Sequence, residues 1–113
     1  MHEFSIALNI VEIAEDTAKA NHAQRINEVE IEIGDVSGVI FEALELALKS
    51  AVKDTMLEKT SINLKRIKAE AICTECGCIY VPDNLVSECP ECKSINTNVT
   101  KGKEMKVISI NID

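Results

Sequence analysis

Residues Ile26 to Gly34 read INEVEIEIG, and from Val29 onward apolar and acidic side chains alternate without interruption. Alternation places Val29, Ile31 and Ile33 on one side of a strand and Glu28, Glu30 and Glu32 on the other, so the strand is half-buried. A row of three carboxylates on one face can hold a cation, but it also keeps an exposed sheet face wet, which is its ordinary role on one-sided sheets. Gly34 ends the strand. Asp35 and Ser37 then supply side chains able to cap a helix that runs to about Lys53. In that helix Val39, Ile40, Phe41, Ala43, Leu44, Leu46, Ala47, Leu48, Ala51 and Val52 leave a narrow polar stripe of Glu42, Glu45, Lys49 and Lys53. Such a helix is expected to be covered over most of its circumference.

On the N-terminal side, Phe4, Ile6, Ala7, Ile10, Val11, Ile13, Ala14 and Ala18 recur at helical spacing and predict an amphipathic helix from Phe4 to about Asn21. Glu15 and Lys19 stand four apart, in the favourable orientation for an ion pair. On the C-terminal side, alternation resumes from about Ser61 to Ala71. It slips by one residue near Lys65 and Arg66, as a bulge or bend would make it do. From Ile72 to about Lys103 cysteine, glycine and proline interrupt the pattern. It returns in MKVISINID, with Ile108, Ile110 and Ile112 expected on one face. The expected fold is α+β: a small three-stranded sheet packed with two helices, plus an inserted four-cysteine, zinc-ribbon-like subdomain. The core domain comprises residues 1–70 and 104–113, and the insert 71–103.

A hydrophobic fraction of 46% with no Trp, one Tyr and two Phe in 113 residues demands an aliphatic core. The net charge of −7 opposes binding to nucleic acid and to anionic membranes, since both present negative phosphates. Glu12, Glu15 and Asp16 interrupt the apolar N-terminal run and no basic segment precedes it, unlike a signal peptide. No stretch is long and apolar enough to span a bilayer. A cytoplasmic location is expected, and in that reducing compartment five cysteines are not a disulfide framework.

Four of them are spaced as Cys73-x2-Cys76 and Cys89-x2-Cys92, with twelve residues between the pairs. Each short turn brings two sulfurs to about 3.5–4 Å on one ion, and two turns complete a tetrahedral shell. All-thiolate tetrahedra select zinc, with iron the alternative. A redox pair would need one such turn at a strand-to-helix junction. A nucleic-acid-binding ribbon would need basic residues and aromatics, whereas the insert has one aromatic, Tyr80. Four protein ligands leave no open position, so the metal would be structural, contributing on the order of 10 kcal/mol to folding. Cys78 is a fifth thiol, either a spare or a substitute ligand. No Ser/His/Asp set, phosphate loop or H-E-x-x-H motif is present, so the chain is not expected to be an enzyme.

The terminus reads Met1-His2-Glu3. A free Met1 amine, the His2 amide, His2 Nδ1 and the Glu3 amide can chelate one ion through fused small rings. Four planar nitrogens suit Ni(II) or Cu(II). The amine and imidazole must be neutral to bind, so affinity should fall as pH falls. The first amides of a helix have no intrahelical partner, and the helix dipole favours negative charge there. The alternative is a histidine at position two by chance, exposed to solvent; His22, in a polar turn, reads as exposed.

MHEFS at the terminus, VEIEIGDVSGV after the first helix, C-x2-C-G and C-P-x-C in the insert, and GKEMKVISINI near the end together resemble the HypA/HybF family of nickel metallochaperones, over essentially the whole length. That resemblance implies Ni(II) as transient cargo at Met1, His2 and Glu3, with His2 supplying the essential side chain. It implies structural Zn(II) on Cys73, Cys76, Cys89 and Cys92; Cys78 departs from the family's ligand pattern. The implied partners are a HypB-type GTPase and the large-subunit precursor of [NiFe]-hydrogenase. In some organisms a urease accessory protein is a further partner, in urease maturation.

Overall fold

The computed structural model describes residues 2–113. In chain order its elements are α1 (Glu3–Ala20), β1 (Ile26–Gly34), α2 (Phe41–Ala51), β2 (Ser61–Ile67), β3 (Glu70–Cys73), β4 (Ile79–Tyr80), β5 (Thr97–Lys101) and β6 (Met105–Ile112). The alternating strand is the middle of a three-stranded sheet, with β2 parallel on one side and β6 antiparallel on the other. Val29, Ile31 and Ile33 are buried as their alternation requires. They meet α1, which buries Ile6, Ala7, Ile10, Val11, Ala14 and Ala18. Full burial of Ile6, Ile10 and Val11 contributes about 2 kcal/mol each. The opposite face carries Glu28, Glu30 and Glu32 beside Asn63, Lys65, Lys106 and Ser109. Glu28 accepts a hydrogen bond from Asn63 (3.0 Å) and Glu32 pairs with Lys106 (3.8 Å), so this face is a polar, solvated surface.

Several local expectations are corrected. Neither Asp35 nor Ser37 caps α2, which begins only at Phe41; the backbone N–H of Ile40, its N-cap residue, donates instead to the Glu3 carboxylate (3.1 Å). An acidic side chain from α1 thus serves the positive end of α2. The second helix buries only Leu44, Leu48 and Ala51, and Leu46 is 67% exposed, because neighbours cover one side of it alone. Glu15 reaches not Lys19 but the Met56 N–H (3.0 Å), tying α1 to the turns after α2.

The slip at Lys65–Arg66 is not a bulge: β2 pairs with β1 without a register shift from Glu28↔Ser61 to Gly34↔Ile67. Arg66 occupies the inward column at the rim of the sheet, opposite Ile33. There its guanidinium lies 4.4 Å from the centre of the Phe41 ring and bonds Glu42 (2.7 Å). The β1–β6 pairing has two irregularities, one between Ile26 and Glu28 and the other in β6. In β6 the register shifts between Glu30↔Ser109 and Ile31↔Val107, leaving Ile108 as the extra residue. Val107, Ile110 and Ile112 therefore pack on the core, and Ile108 is 40% exposed.

After Ile67 the chain leaves the first sheet. β3 is the middle of a second, antiparallel sheet of order β4-β3-β5. Its small core is Ala69, Ala71 and Val99, with Tyr80 alongside, and is completed by Val36 from the β1–α2 connection. The two lobes meet at glycines. A Cβ on Gly34 would fall on the carbonyl group of Gly102, and one on Gly102 would lie 2.6 Å from Ala69 Cα. Val36 N–H to Gly102 O (2.8 Å) crosses this seam, while Gly34 N–H to Glu104 O (2.7 Å) and Asp35 N–H to Ile67 O (2.9 Å) extend the first sheet's pairings up to it. With principal extents of 55 × 24 × 17 Å, the molecule is elongated.

Gly34→Ala should lower unfolding stability in urea by about 3 kcal/mol or more, because overpacked backbone cannot relax. Gly38→Ala, with φ +87° but open space around the added Cβ, should cost about 1 kcal/mol. Equal losses for the two variants would show that the seam is not closely packed.

Candidate metal centre

The two C-x2-C segments fold into the same turn. In the first, Cys73 N–H donates to Cys78 O (2.9 Å) and Gly77 N–H to Cys73 O (2.9 Å). In the second, Cys89 N–H donates to Ser94 O (2.8 Å) and Lys93 N–H to Cys89 O (3.0 Å). The residue four places after each leading cysteine has a left-handed backbone, Gly77 at φ 77° and Lys93 at φ 66°. Glycine takes this conformation without strain, whereas Lys93 holds it against its Cβ. Thr74 joins the turns, its N–H (2.9 Å) and Oγ1 (2.6 Å) both donating to Asn96 O.

This construction brings together all four predicted cysteines. Cys73 and Cys92 sulfurs are 3.5 Å apart, those of Cys76 and Cys89 3.6 Å, and all four lie within 4.8 Å of one another. A tetrahedral ion with bonds of about 2.3 Å needs sulfurs spaced at about 3.8 Å, so the set fits a single thiolate-bound metal. All five cysteines are free thiols; Cys73 and Cys89 are buried, Cys76 and Cys92 exposed. Cys78 lies outside the cluster, with its Sγ 3.8 Å from Ile79 O.

Backbone N–H groups prepare two of the thiols for ionisation. Those of Cys76 and Glu75 hold Cys73 below the usual thiol range, and those of Cys92 and Glu91 bring Cys89 down to about 6. Among the other two, the Cys78 N–H stabilises the Cys76 thiolate and the Ser94 N–H that of Cys92. Desolvation and neighbouring sulfurs outweigh them and push both groups up. The leading cysteine of each turn is thus the more readily ionised and the trailing one the less.

Of the predicted terminal site, Met1 lies outside the described residues. His2 is exposed and precedes α1 as its N-cap residue; its side chain makes no cap hydrogen bond, and its carbonyl accepts from Ile6 N–H (3.0 Å). The Glu3 carboxyl is held below its usual range by the Ile40 N–H, its own N–H and nearby positive charge. Among the described residues, the cysteine cluster is the one group of three or more metal-ligating side chains within reach of one ion, and His2 has no such company. His22 sits exposed in the turn after α1 with φ 55°. Val36 and Thr74, which support the centre, carry no spacing signal in the sequence.

A family model described as hydrogenase/urease nickel incorporation, metallochaperone, hypA matches residues 1–112. A hydrogenase maturation factor HypA from Parabacteroides distasonis is 45% identical over 97% of this chain and 96% of that protein. One from Chlorobium limicola is 37% identical over 100% and 97%. The solution structure of the Ni metallochaperone HypA from Helicobacter pylori superposes with a TM-score of 0.67 at 26% identity, covering 99% of this chain and 97% of that one. Among the described residues no helix is long and apolar enough to cross a membrane. By a match running from residue 1 to residue 112 and by relatives alike along their full length, the chain belongs to the HypA family of nickel-incorporation metallochaperones, which are maturation factors and not enzymes.

Proposed function

We propose that the chain carries Ni(II) on Met1, His2 and Glu3 and delivers it to the large-subunit precursor of [NiFe]-hydrogenase, with Zn(II) held on Cys73, Cys76, Cys89 and Cys92. The observation that carries the nickel reading is the position of His2, exposed immediately before the first turn of α1 with an imidazole that caps nothing. The Glu3 N–H lies in the first turn of α1, where backbone donors have no intrahelical partner. Ionising it for a metal would break no helical hydrogen bond. With the Glu3 side chain engaged at Ile40, main-chain nitrogen is the better donor from that residue. A site on a terminus is open from several directions, which suits cargo that must be released.

The cysteine centre has the opposite character. Bound Zn(II) would supply a cross-link between the two turns, with every position filled by protein. The residues supply its fit: four converging sulfurs, backbone N–H groups that favour thiolate at Cys73 and Cys89, and turns closed beforehand. Residues 1–70 and 104–113 would then form the nickel-binding domain and 71–103 the zinc-binding insert. A HypB-type GTPase is the expected partner in delivery. The family description also names urease, which supports a urease accessory protein as a second route. Free thiols throughout fit a cytoplasmic setting.

Titration of untagged protein should show about one Ni(II) bound beyond the cysteine-held metal, as one terminal chelate allows. His2→Ala, or a two-residue extension before Met1, should abolish that binding while fold and zinc content persist; retention in both variants would refute the terminal site. Cys73→Ala should release zinc and loosen the second sheet while the three-stranded sheet and its helices keep their circular dichroism. Loading the cysteines at neutral pH should release fewer than four protons per ion, because Cys89, brought down to about 6, has already lost most of its proton. Calorimetry in buffers of different ionisation enthalpy measures that number.

A further inference from the structure

The two lobes form a cleft that neither metal uses. Beyond the glycine seam, the turn Asp35–Gly38 faces the loop of the second lobe that leads into Cys89. Between them is an open cleft of about 440 Å³, with Val36, Gly38, Leu85 and Val86 in its walls and Asp35 and Asp83 at its rim. Leu85 is 54% exposed and Val86 73%. Local bonds hold them outward: Asn84 Oδ1 accepts from Val86 N–H (2.9 Å), Tyr80 Oη donates to Ser87 O (3.0 Å), and Pro82 is buried beneath the loop. The loop is therefore tied to β4 with its two apolar side chains in water, an arrangement that burial against a partner would relieve. Gly38 opens the other wall, since nothing lies within 4 Å of the place a Cβ would occupy.

Charge selects the occupant. Among the described residues neither Asp35 nor Asp83 belongs to an ion pair, and the chain as a whole carries −7. The geometry points to a docking site for an extended segment of a partner protein in which leucine-like side chains alternate with lysine or arginine. The apolar groups would seat against Leu85, Val86 and Val36, and the cations would meet Asp35 and Asp83. The cleft is of ordinary size for a recognition pocket. One wall leads into α2, whose first N–H is held by Glu3 beside His2; the other leads into the second cysteine turn. A segment bound there would touch both lobes at once. The site does not depend on where nickel binds.

The test uses full-length, metal-loaded protein and two fluorescein-labelled peptides, Lys-Leu-Lys-Leu-Lys and its charge-matched counterpart Lys-Ser-Lys-Ser-Lys. At physiological salt the leucine peptide should bind about tenfold more tightly or better. Its amide shift changes should centre on residues 35–38 and 84–87. Leu85→Ser with Val86→Ser should reduce it to the level of the serine peptide. Asp35→Asn with Asp83→Asn should weaken it and flatten its salt dependence. All four side chains are exposed, and unchanged metal content and circular dichroism would confirm intact folding. Equal binding of the two peptides, shift changes centred on the Glu28–Glu32 face, or undiminished binding by the Leu85/Val86 variant would overturn the assignment. Loss of nickel binding in His2→Ala with peptide binding retained would separate this site from the terminal one.

Discussion

Two glycines stacked backbone to backbone hold the architecture together. Gly34 ends the central strand of the first sheet, and Gly102 joins the last strand of the second sheet to the returning β6. Neither position has room for a methyl group, so the lobes approach as closely as peptide planes permit. That closeness lets Val36 donate to Gly102 across the seam, beside the bonds from Gly34 to Glu104 and Asp35 to Ile67 that finish the first sheet. It also carries Val36 into the core of the other lobe, beside Ala69 and Ala71. An elongated molecule with two small cores has little other area to fix one lobe on the other, so the seam sets their relation.

The second lobe needs more than its own apolar residues. Its core of Val36, Ala69, Ala71 and Val99 is too small to offset the backbone entropy of more than thirty ordered residues. The cysteine turns supply what is lacking. Their backbone bonds are closed in the same pattern twice, and their sulfurs converge on a volume that suits one tetrahedral ion. Ordering the turns and burying Cys73 and Cys89 places negative charge where a dication can neutralise it, so metal affinity and lobe folding become one equilibrium.

The large periodic signals were legible. The alternation at Val29–Ile33, the helical spacing of Ile6 to Ala18 and the paired C-x2-C turns lead to the fold class and to the four clustered sulfurs. What pattern misread was set by contacts distant in sequence. Arg66 breaks the alternation of β2 because Phe41 and Glu42 await it at the sheet rim, and a slip and a rim-capping cation look alike in one dimension. Ile108 turns outward because a register shift against β1 inserts it, and nothing in MKVISINID marks which residue is extra. Asp35 and Ser37 have the chemistry of caps, yet Glu3, 37 residues before Ile40, serves that helix. Val36 gave no sign that it belongs to the second lobe's core. Each miss is a tertiary contact overriding a local preference.

The β1–α2 connection touches both lobes, the cleft and α1. It leaves the glycine seam directly after Gly34, Val36 fills the second core, its turn forms one wall of the acidic-rimmed cleft, and its last N–H is held by the Glu3 carboxylate. A four-thiolate site with every ligand anchored in a closed turn would resist exchange, whereas the proposed terminal chelate could be approached and dismantled one nitrogen at a time. On the proposed assignment the retained ion and the cargo would occupy separate sites, so neither site need have both properties. The connecting segment would then be the surface on which a recipient could be held close to the terminus without disturbing the cysteine turns.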